Sequence, residues 1–151
     1  WVLLANYADR SLIRNQVAMA MAQPLGRLSY VPAMKPVDLF VNGVYQGVYS
    51  LSERIEENDG RVELDVSASE DTGYLLEVGG VESEELGIKK YFHAGTLRFV
   101  LVRSPASEVI TEHQLGFISD YVAKADQADA ALDHYADYID IPSLIDWFLH
   151  H

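Results

Sequence analysis

The stretch VDLFVNGVYQGVYSLSER, Val37–Arg54, constrains the fold more than any other part of the chain. Asn42-Gly43 separates two runs rich in valine, leucine, phenylalanine and tyrosine. A two-residue type I′ turn needs a positive φ at both central positions, which Asn and Gly tolerate, so the stretch predicts a β-hairpin. Gly47 lies inside the second strand. An interior glycine indicates a bulge or a close approach by another backbone or a ligand, and a core hairpin with a twist-relieving glycine is the simpler interpretation.

The pattern around this hairpin predicts an α+β fold, a mainly antiparallel sheet with flanking helices, because helix and strand segments do not alternate regularly. Apolar residues at spacings of three and four predict a helix over Asn6–Ala22. Two prolines make Tyr30–Pro36 an extended connector into the hairpin. Alternating apolar runs predict further strands. They are Val62–Val66, Gly73–Val78, Tyr91–His93 and Thr96–Val102, the last two paired around Ala94-Gly95.

Helical periodicity returns in the last third of the chain. A stripe that includes Val109, Phe117 and Val122 predicts a helix, and Ser107 is its expected N-cap. Ala125–Ile139 either continues that helix or forms a second one. A further helix is predicted to begin near Asp140-Ile141-Pro142, since proline is favoured in a first helical turn.

The composition is that of a globular protein and excludes several classes. The chain has 151 residues, 49% of them hydrophobic and 23% charged, and no apolar run approaches the ~20 residues of a membrane helix. A net charge of −12 argues against a nucleic-acid surface but not against nucleotide binding, because metal ions can offset phosphate charge. The absence of cysteine excludes disulfides and thiol chemistry. The apolar ends, Trp1–Leu4 and Leu144–Leu149, lead us to expect a fragment of a longer chain.

Common catalytic motifs are missing from the sequence. It contains no phosphate-loop G-x-x-x-x-G-K-[ST], no G-x-G-x-x-G, no G-x-S-x-G and no H-E-x-x-H. Carboxylates cluster without a calcium-binding pattern, and solvated surface is the favoured interpretation. These clusters are Glu56, Glu57 and Asp59; Glu63 and Asp65; and Glu82, Glu84 and Glu85.

The charged pair Glu53-Arg54 ends the second hairpin strand, a few residues after Gly47. A charged side chain in that place can contact a phosphate or orient another side chain. The alternative is a salt bridge at the rim of the sheet, which contributes little to stability. Spacing alone favours the salt bridge.

Several segments, taken together and in this order, resemble the spore-coat protein H (CotH) family of atypical protein kinases. The resemblance runs from the first residue to the last. It is carried by WVLLANYADRSLIRN (Trp1–Asn15), the hairpin through Glu56, GYLLEV (Gly73–Val78), FVLVRSP (Phe99–Pro105) and YIDIPSLIDWFLHH (Tyr138–His151). Each segment is weakly specific by itself, and their order and spacing are what make the resemblance specific.

The resemblance implies a divergent kinase-like fold that binds ATP and a divalent metal, Mg²⁺. Members of the family phosphorylate serines of partner proteins, notably spore-coat proteins of Bacillus-type bacteria. Relatives also occur among bacterial secreted and surface proteins, and some fungal members are cell-surface ligands for host receptors. The resemblance therefore implies a protein partner and an extracellular or cell-surface location.

Four residues are the candidates for a nucleotide-facing side under this resemblance: Arg54, Glu53, Arg14 and Arg103. The alternative for Arg14 is a structural link between helix and sheet. Arg103 stands where relatives often have Lys, and the two side chains present their charge with different geometry. Tyr49 and Tyr74 are candidates to pack near an adenine, with core or rim positions as the alternative.

The family's catalytic and metal-binding acids lie in Asn/Asp-containing segments, which would come after His151 here. Asp146 lies in a family-like helix but has no match that makes it catalytic. We therefore expect residues 1–151 to be a single front portion of a kinase-like domain, inactive by itself. The alternatives are a non-catalytic surface binding module of the same fold and a structural domain in an extracellular assembly.

Overall fold

The computed structural model describes residues 1–67, 69, 72–79, 91–94, 97–106, 108–131 and 133–150. These residues form two three-stranded antiparallel sheets and three α-helices. The predicted α+β class is confirmed, with the strands divided between two sheets. The chain divides into two compact units, the first formed by Trp1–Ile55 with Ile141–His151 and the second by Glu56–Asp140.

The first sheet belongs to the first unit and contains the predicted hairpin. Its strands, in the order β1-β3-β2, are Val2–Leu4 (β1), Met34–Val41 (β2) and Val44–Ser52 (β3). Asn42 and Gly43 join β2 to β3 with φ angles of 51° and 80°, the positive values that a type I′ turn requires. A bulge, one of the features that an interior glycine can mark, is present, because the register shifts between Leu39 and Phe40 and Gly47 has a φ of 111°.

The first helix, α1, is shorter than the sequence pattern predicted. It spans Arg14–Ala22, so the predicted start at Asn6 is wrong. Asn6 and Leu12 have positive φ angles of 48° and 60°, which lie outside the right-handed helical region. A 3₁₀ turn over Gln23–Leu25 follows α1, where the prediction placed the end of the helix.

The rest of the first unit follows the predictions with small shifts. The extended connector is shorter than expected, because β2 already begins at Met34 and includes Pro36. Proline is tolerated there since β2 is an edge strand. Helix α3 spans Ile141–His150 and begins where predicted. The Ser143 hydroxyl donates a 2.7 Å hydrogen bond to the backbone oxygen of Arg27.

The second unit pairs the other sheet with a long helix. Its strands, in the order β4-β6-β5, are Leu75–Val78 (β4), Tyr91–Ala94 (β5) and Leu97–Ser104 (β6), and helix α2 spans Glu112–Ala131. The sheet and α2 share the main hydrophobic core of the described residues. Its buried members are Phe92, Val100, Val102, Ile110 and Ile118.

Three predictions for the second unit need correction. Val62–Val66 is not a strand, because only an isolated bridge joins Glu57 to Val62. The stretch Ala125–Ile139 is partly a continuation of α2, which ends at Ala131 before a 3₁₀ turn over Tyr135–Asp137. The predicted start of this helix is also wrong, because α2 begins at Glu112 and Val109 and Ile110 precede it. Ser107, the expected N-cap, and Gly95 of the expected turn themselves lie outside the described residues.

Candidate functional site

The loop before α1 is organised by the carboxylate of Asp9. Its Oδ1 accepts hydrogen bonds from the Ser11 hydroxyl at 2.6 Å and the Ser11 amide at 2.9 Å, and its Oδ2 accepts one from the Arg14 amide at 2.9 Å. The Ser11 hydroxyl, followed by the Arg14 amide, lowers the pKa of Asp9 to about 2. Asp9 therefore stays ionised and supplies an acceptor for the first amide of the helix, a capping role.

A second set of hydrogen bonds ties this loop to the first sheet. The Asn6 side-chain amide donates to the Ser50 hydroxyl at 2.7 Å, and Gln16 donates to the same oxygen at 3.0 Å. Asn15 donates to the Asn6 side-chain oxygen at 2.8 Å. Ser50 itself is fully buried in β3. These hydrogen bonds hold the loop before α1, the helix α1 and the first sheet in fixed positions relative to one another.

This framework borders an open cavity of about 500 Å³ at the start of α1. The lining residues are Leu4, Ala5, Asn6, Tyr7, Ala8, Asp9, Arg14 and Asn15. The Arg14 side chain is 81% exposed, and its Nε lies 3.5 Å from Asp9 Oδ1. Tyr7 is 99% exposed. The cavity thus combines a solvent-facing guanidinium and a solvent-facing aromatic ring with polar side chains that are hydrogen-bonded to one another.

The pair Glu53-Arg54 lies just beyond β3 in the first unit. Glu53 Oε2 accepts hydrogen bonds from the Tyr30 hydroxyl and the Ala33 amide, both at 2.8 Å. These bonds fasten the connector to the end of the strand, a structural role that spacing alone did not predict. Arg54 is exposed beside it.

Of the four charged candidates, Arg103 is the one that lies in the second unit. Its Nε and Nη2 both donate to Glu77 Oε2 at 2.6 Å, which links β6 to β4. Tyr74 also belongs to this unit. Its ring stacks on the ring of Phe117, with 6.5 Å between the two ring centroids, and packs against the hydrophobic core. Tyr49 is half-buried in β3 of the first unit.

Charge is divided unequally between the two units. Five of the 11 lysines and arginines and four of the 23 acids fall in the first unit, so its formal charge is +1 and that of the second is −13. All five bases of the first unit are exposed, whereas Asp9 is only partly accessible and Asp146 is 6% exposed. The five bases are Arg10, Arg14, Arg27, Lys35 and Arg54. The surface of the first unit is therefore the more favourable one for an anion.

The acidic clusters of the second unit have structural contacts. Arg61 forms an ion pair with Glu56, and the buried Ser104 hydroxyl donates to Glu57 at 2.6 Å. Glu82, Glu84 and Glu85 lie outside the described residues. Across the described ranges, no group of three acidic or histidine side chains is arranged to hold a metal ion.

Comparison with known protein families identifies the family to which this chain belongs. A family model described as CotH kinase protein matches residues 1–151. The chain belongs to the CotH family. No curated protein and no solved structure matched it in the parallel comparisons. Within the described part of this CotH-family chain, no helix is long and apolar enough to cross a membrane.

Sequence reasoning named Arg14 as a candidate in this CotH-family chain, but it did not name Tyr7, Asn6 or Ser50, which lie around it. Tyr7 and Asn6 were read as part of a helix, and Ser50 as an ordinary strand residue. One local signal was available, since an Asp followed two residues later by Ser is typical of a side-chain-capped turn. The contact between Asn6 and Ser50 had no local signal.

Proposed function

We infer that this chain is the front, nucleotide-binding part of a protein kinase that uses ATP and Mg²⁺. The reaction is transfer of the γ-phosphoryl group to serine, or threonine, hydroxyls of a partner protein. The observation that carries the proposal is the match of residues 1–151 to the family described as CotH kinase protein. An extracellular or cell-surface location is part of the same proposal.

The charge distribution of the first unit supports the proposal that this part of the kinase binds the nucleotide. Phosphoryl transfer depends mainly on positioning the phosphates and on neutralising their charge with metal ions and basic groups. The first unit offers exposed Arg14 and Arg54 for the phosphates. The described residues offer no cluster of acids for Mg²⁺. Acids that follow residue 151 are the proposed metal ligands, so residues 1–151 alone are proposed to be inactive.

The candidate residues have different proposed parts. Arg54 contacts a nucleotide phosphate, and Glu53 holds the connector through Tyr30 so that Arg54 is correctly placed. Arg103 acts together with Glu77, its ion-pair partner in the neighbouring strand. Because Arg103 is already paired with Glu77, we propose that it orients other groups of the site, and direct contact with a phosphate is the less favoured role.

Phosphoryl transfer is tested by incubating the form extended past residue 151 with MgATP and a candidate protein substrate, then mapping phosphoserine by mass spectrometry. The matched pair of variants is Arg54→Gln and Lys35→Gln, which remove one exposed base each from the first unit. We expect phosphoserine with the parent and Lys35→Gln and a strong loss with Arg54→Gln. Equal activity of the two variants would remove Arg54 from the proposal, and absence of phosphoserine together with absence of ATP binding would remove the kinase function.

A non-catalytic protein-binding module is the second candidate. It is favoured by the apolar side chains that α3 exposes, since grouped exposed apolar residues mark interaction surfaces. They are Ile145, Trp147, Phe148 and Leu149, between 44% and 69% exposed. Loss of partner binding on replacing Phe148 by Ser, with no nucleotide binding by any form of the protein, would favour this module over the kinase.

A further inference from the structure

Helix α3 has its polar and apolar sides reversed relative to an ordinary surface helix. Its charged side chain, Asp146, is only 6% exposed, and its Ser143 hydroxyl is bonded to the backbone oxygen of Arg27. A surface helix of a globular protein normally directs its charged and polar residues to water. Here the exposed residues of positions 141–149 are all apolar, and we call them the α3 face. They are Pro142, Ile145, Trp147, Phe148 and Leu149.

Helix α1, which packs against α3 in the first unit, also exposes apolar side chains. Ile13, Val17 and Met21 follow one another at intervals of four residues and are 51%, 47% and 60% exposed. Residues four apart lie on the same side of a helix. Two neighbouring helices of one unit therefore each expose an apolar stripe. Grouped exposed apolar residues of this kind mark interaction sites for proteins or membranes.

The accessible charge of the first unit is positive. All five of its bases are exposed, whereas Asp38 is the one fully exposed acid among its four acidic side chains, all of which the structure describes. Arg27 is the base whose backbone contacts the first turn of α3. The surface that complements this unit is therefore an anionic one. A second copy of the chain fits less well, because a two-fold contact through α3 would bring two Arg27 side chains of like charge together.

The chemistry of the α3 face favours a lipid surface over a protein. Protein interfaces carry about one hydrogen bond per 100–200 Å², and Trp147 is the only residue of the face with a polar side-chain atom. Its ring lies edge-on to that of Phe148, with 5.0 Å between the ring centroids. Tryptophan is enriched where a bilayer meets water, and interfacial helices bury Trp, Phe and Leu there.

We propose that the α3 face docks on the surface of an anionic lipid bilayer. Trp147, Phe148 and Leu149 enter the headgroup region, and Arg27 lies near the lipid phosphates. The helix has 10 residues, about half of the ~20 needed to cross a bilayer, so it lies along the surface. The inference goes beyond the proposed kinase function and does not depend on it.

Vesicle co-sedimentation tests this docking, with residues 1–151 and with the form extended past residue 151. Vesicles of phosphatidylcholine alone are compared with vesicles that also contain phosphatidylglycerol, at low and high salt, and circular dichroism checks that each variant is folded. The apolar variant is Phe148→Ser with Leu149→Ser, and Val109→Ser is its control because Val109 is 67% exposed in the second unit. Arg27→Gln is paired with Lys124→Gln, an exposed base of the second unit.

We expect both forms to bind the phosphatidylglycerol vesicles more tightly than phosphatidylcholine, and the binding to weaken with salt because ions screen the charges. Replacing Phe148 and Leu149 should weaken binding about tenfold or more, since two apolar side chains no longer leave water. Arg27→Gln should weaken it about fivefold. The two controls should bind as the parent does.

Tryptophan fluorescence gives a second readout that reports on α3 itself. The chain has two tryptophans, so Trp1→Phe leaves Trp147 as the only one in residues 1–151. Its emission should shift to shorter wavelength with anionic vesicles and should be quenched by brominated lipid, because the indole leaves water for the headgroup region.

Three outcomes would overturn the proposal. The first is vesicle binding that the Phe148 and Leu149 replacements leave unchanged. The second is binding by residues 1–151 that the extended form lacks, which would assign the α3 face to the residues that follow. The third is absence of vesicle binding by both folded forms, and a protein ligand whose binding Phe148→Ser abolishes would then assign the face to a protein.

Discussion

The side-chain amide of Asn6 donates a 2.7 Å hydrogen bond to the hydroxyl oxygen of Ser50, 44 residues further along the chain. Gln16 donates to the same oxygen at 3.0 Å. One buried hydroxyl in β3 therefore satisfies two amides, one from the loop before α1 and one from α1 itself. The candidate cavity is built on this junction, because Asn6 also forms part of its wall.

Replacing Ser50 by Ala should destabilise the first unit. The change leaves the Asn6 and Gln16 amides without their buried acceptor, and an unsatisfied buried polar group costs about 1–3 kcal/mol. Urea unfolding measures the loss. Ser52→Ala is the control, since Ser52 is 4% exposed in the same strand but its hydroxyl only donates to the backbone oxygen of Glu53. An equal loss in both variants would contradict a special role for the Asn6–Ser50 contact.

The Asp9 carboxylate should make stability depend on pH in the acid range. Its pKa is lowered in the folded protein from 3.8 to about 2, so its contribution is fully present above about pH 4 and is lost as the pH falls to about 2. Asp9→Asn should therefore show a smaller fall in the free energy of unfolding between pH 4 and pH 2 than the parent. Urea titrations across that range provide the test, with Asp59→Asn as an exposed control. Parallel curves for parent and Asp9→Asn would refute the assignment.

Local chemistry decided which parts of the fold the sequence could predict. Asn42-Gly43 specifies its turn by φ preference alone, so the hairpin was predictable, whereas Gly47 by itself left a bulge as one of several alternatives. The start of α1 was not, because Asp9 and the positive φ of Leu12 override an apolar spacing that looks helical. Strand β1 was missed as well, since its three residues acquire their strand structure only by pairing with β3.

The residues of the candidate site likewise include some that the sequence could predict and others that it could not. Arg14 was named as a candidate through the family resemblance, and Tyr7 and Asn6 line the cavity with it because the loop folds back on β3. Glu53 was predicted as a charged strand end. Its hydrogen bonds to Tyr30 and Ala33 join positions 23 and 20 residues apart, which no local pattern encodes.

Two glycine substitutions should have opposite effects on stability. Gly47 has a φ of 111°, where a side chain is strained even though a Cβ would meet no atom within 4 Å. Gly47→Ala should lower the free energy of unfolding by about 1–3 kcal/mol. Gly116 lies in α2, also with open space, so Gly116→Ala should raise it by about 0.5–1 kcal/mol. Urea unfolding compares them, and a neutral Gly47→Ala would show that the bulge tolerates a side chain.

The carboxylate of Asp146 is expected to lower the stability of the folded protein. It lies on α3 and is 6% exposed, and its Oδ2 has no hydrogen-bond partner among the residues that the structure describes. Burying an unpaired charge is unfavourable, so Asp146→Asn should raise the free energy of unfolding at pH 7 by about 1 kcal/mol. Asp133→Asn, at an exposed position, is the control. A loss of stability in Asp146→Asn would show that the carboxylate has a favourable partner in the folded protein.

Calorimetric titration of MgATP tests the kinase proposal most directly. It compares residues 1–151 with the form extended past residue 151, each shown to be folded by circular dichroism. We predict saturable binding by the extended form and weak or absent binding by residues 1–151, because the proposed metal ligands follow this segment. Absence of binding by both folded forms would contradict the proposed nucleotide-dependent function.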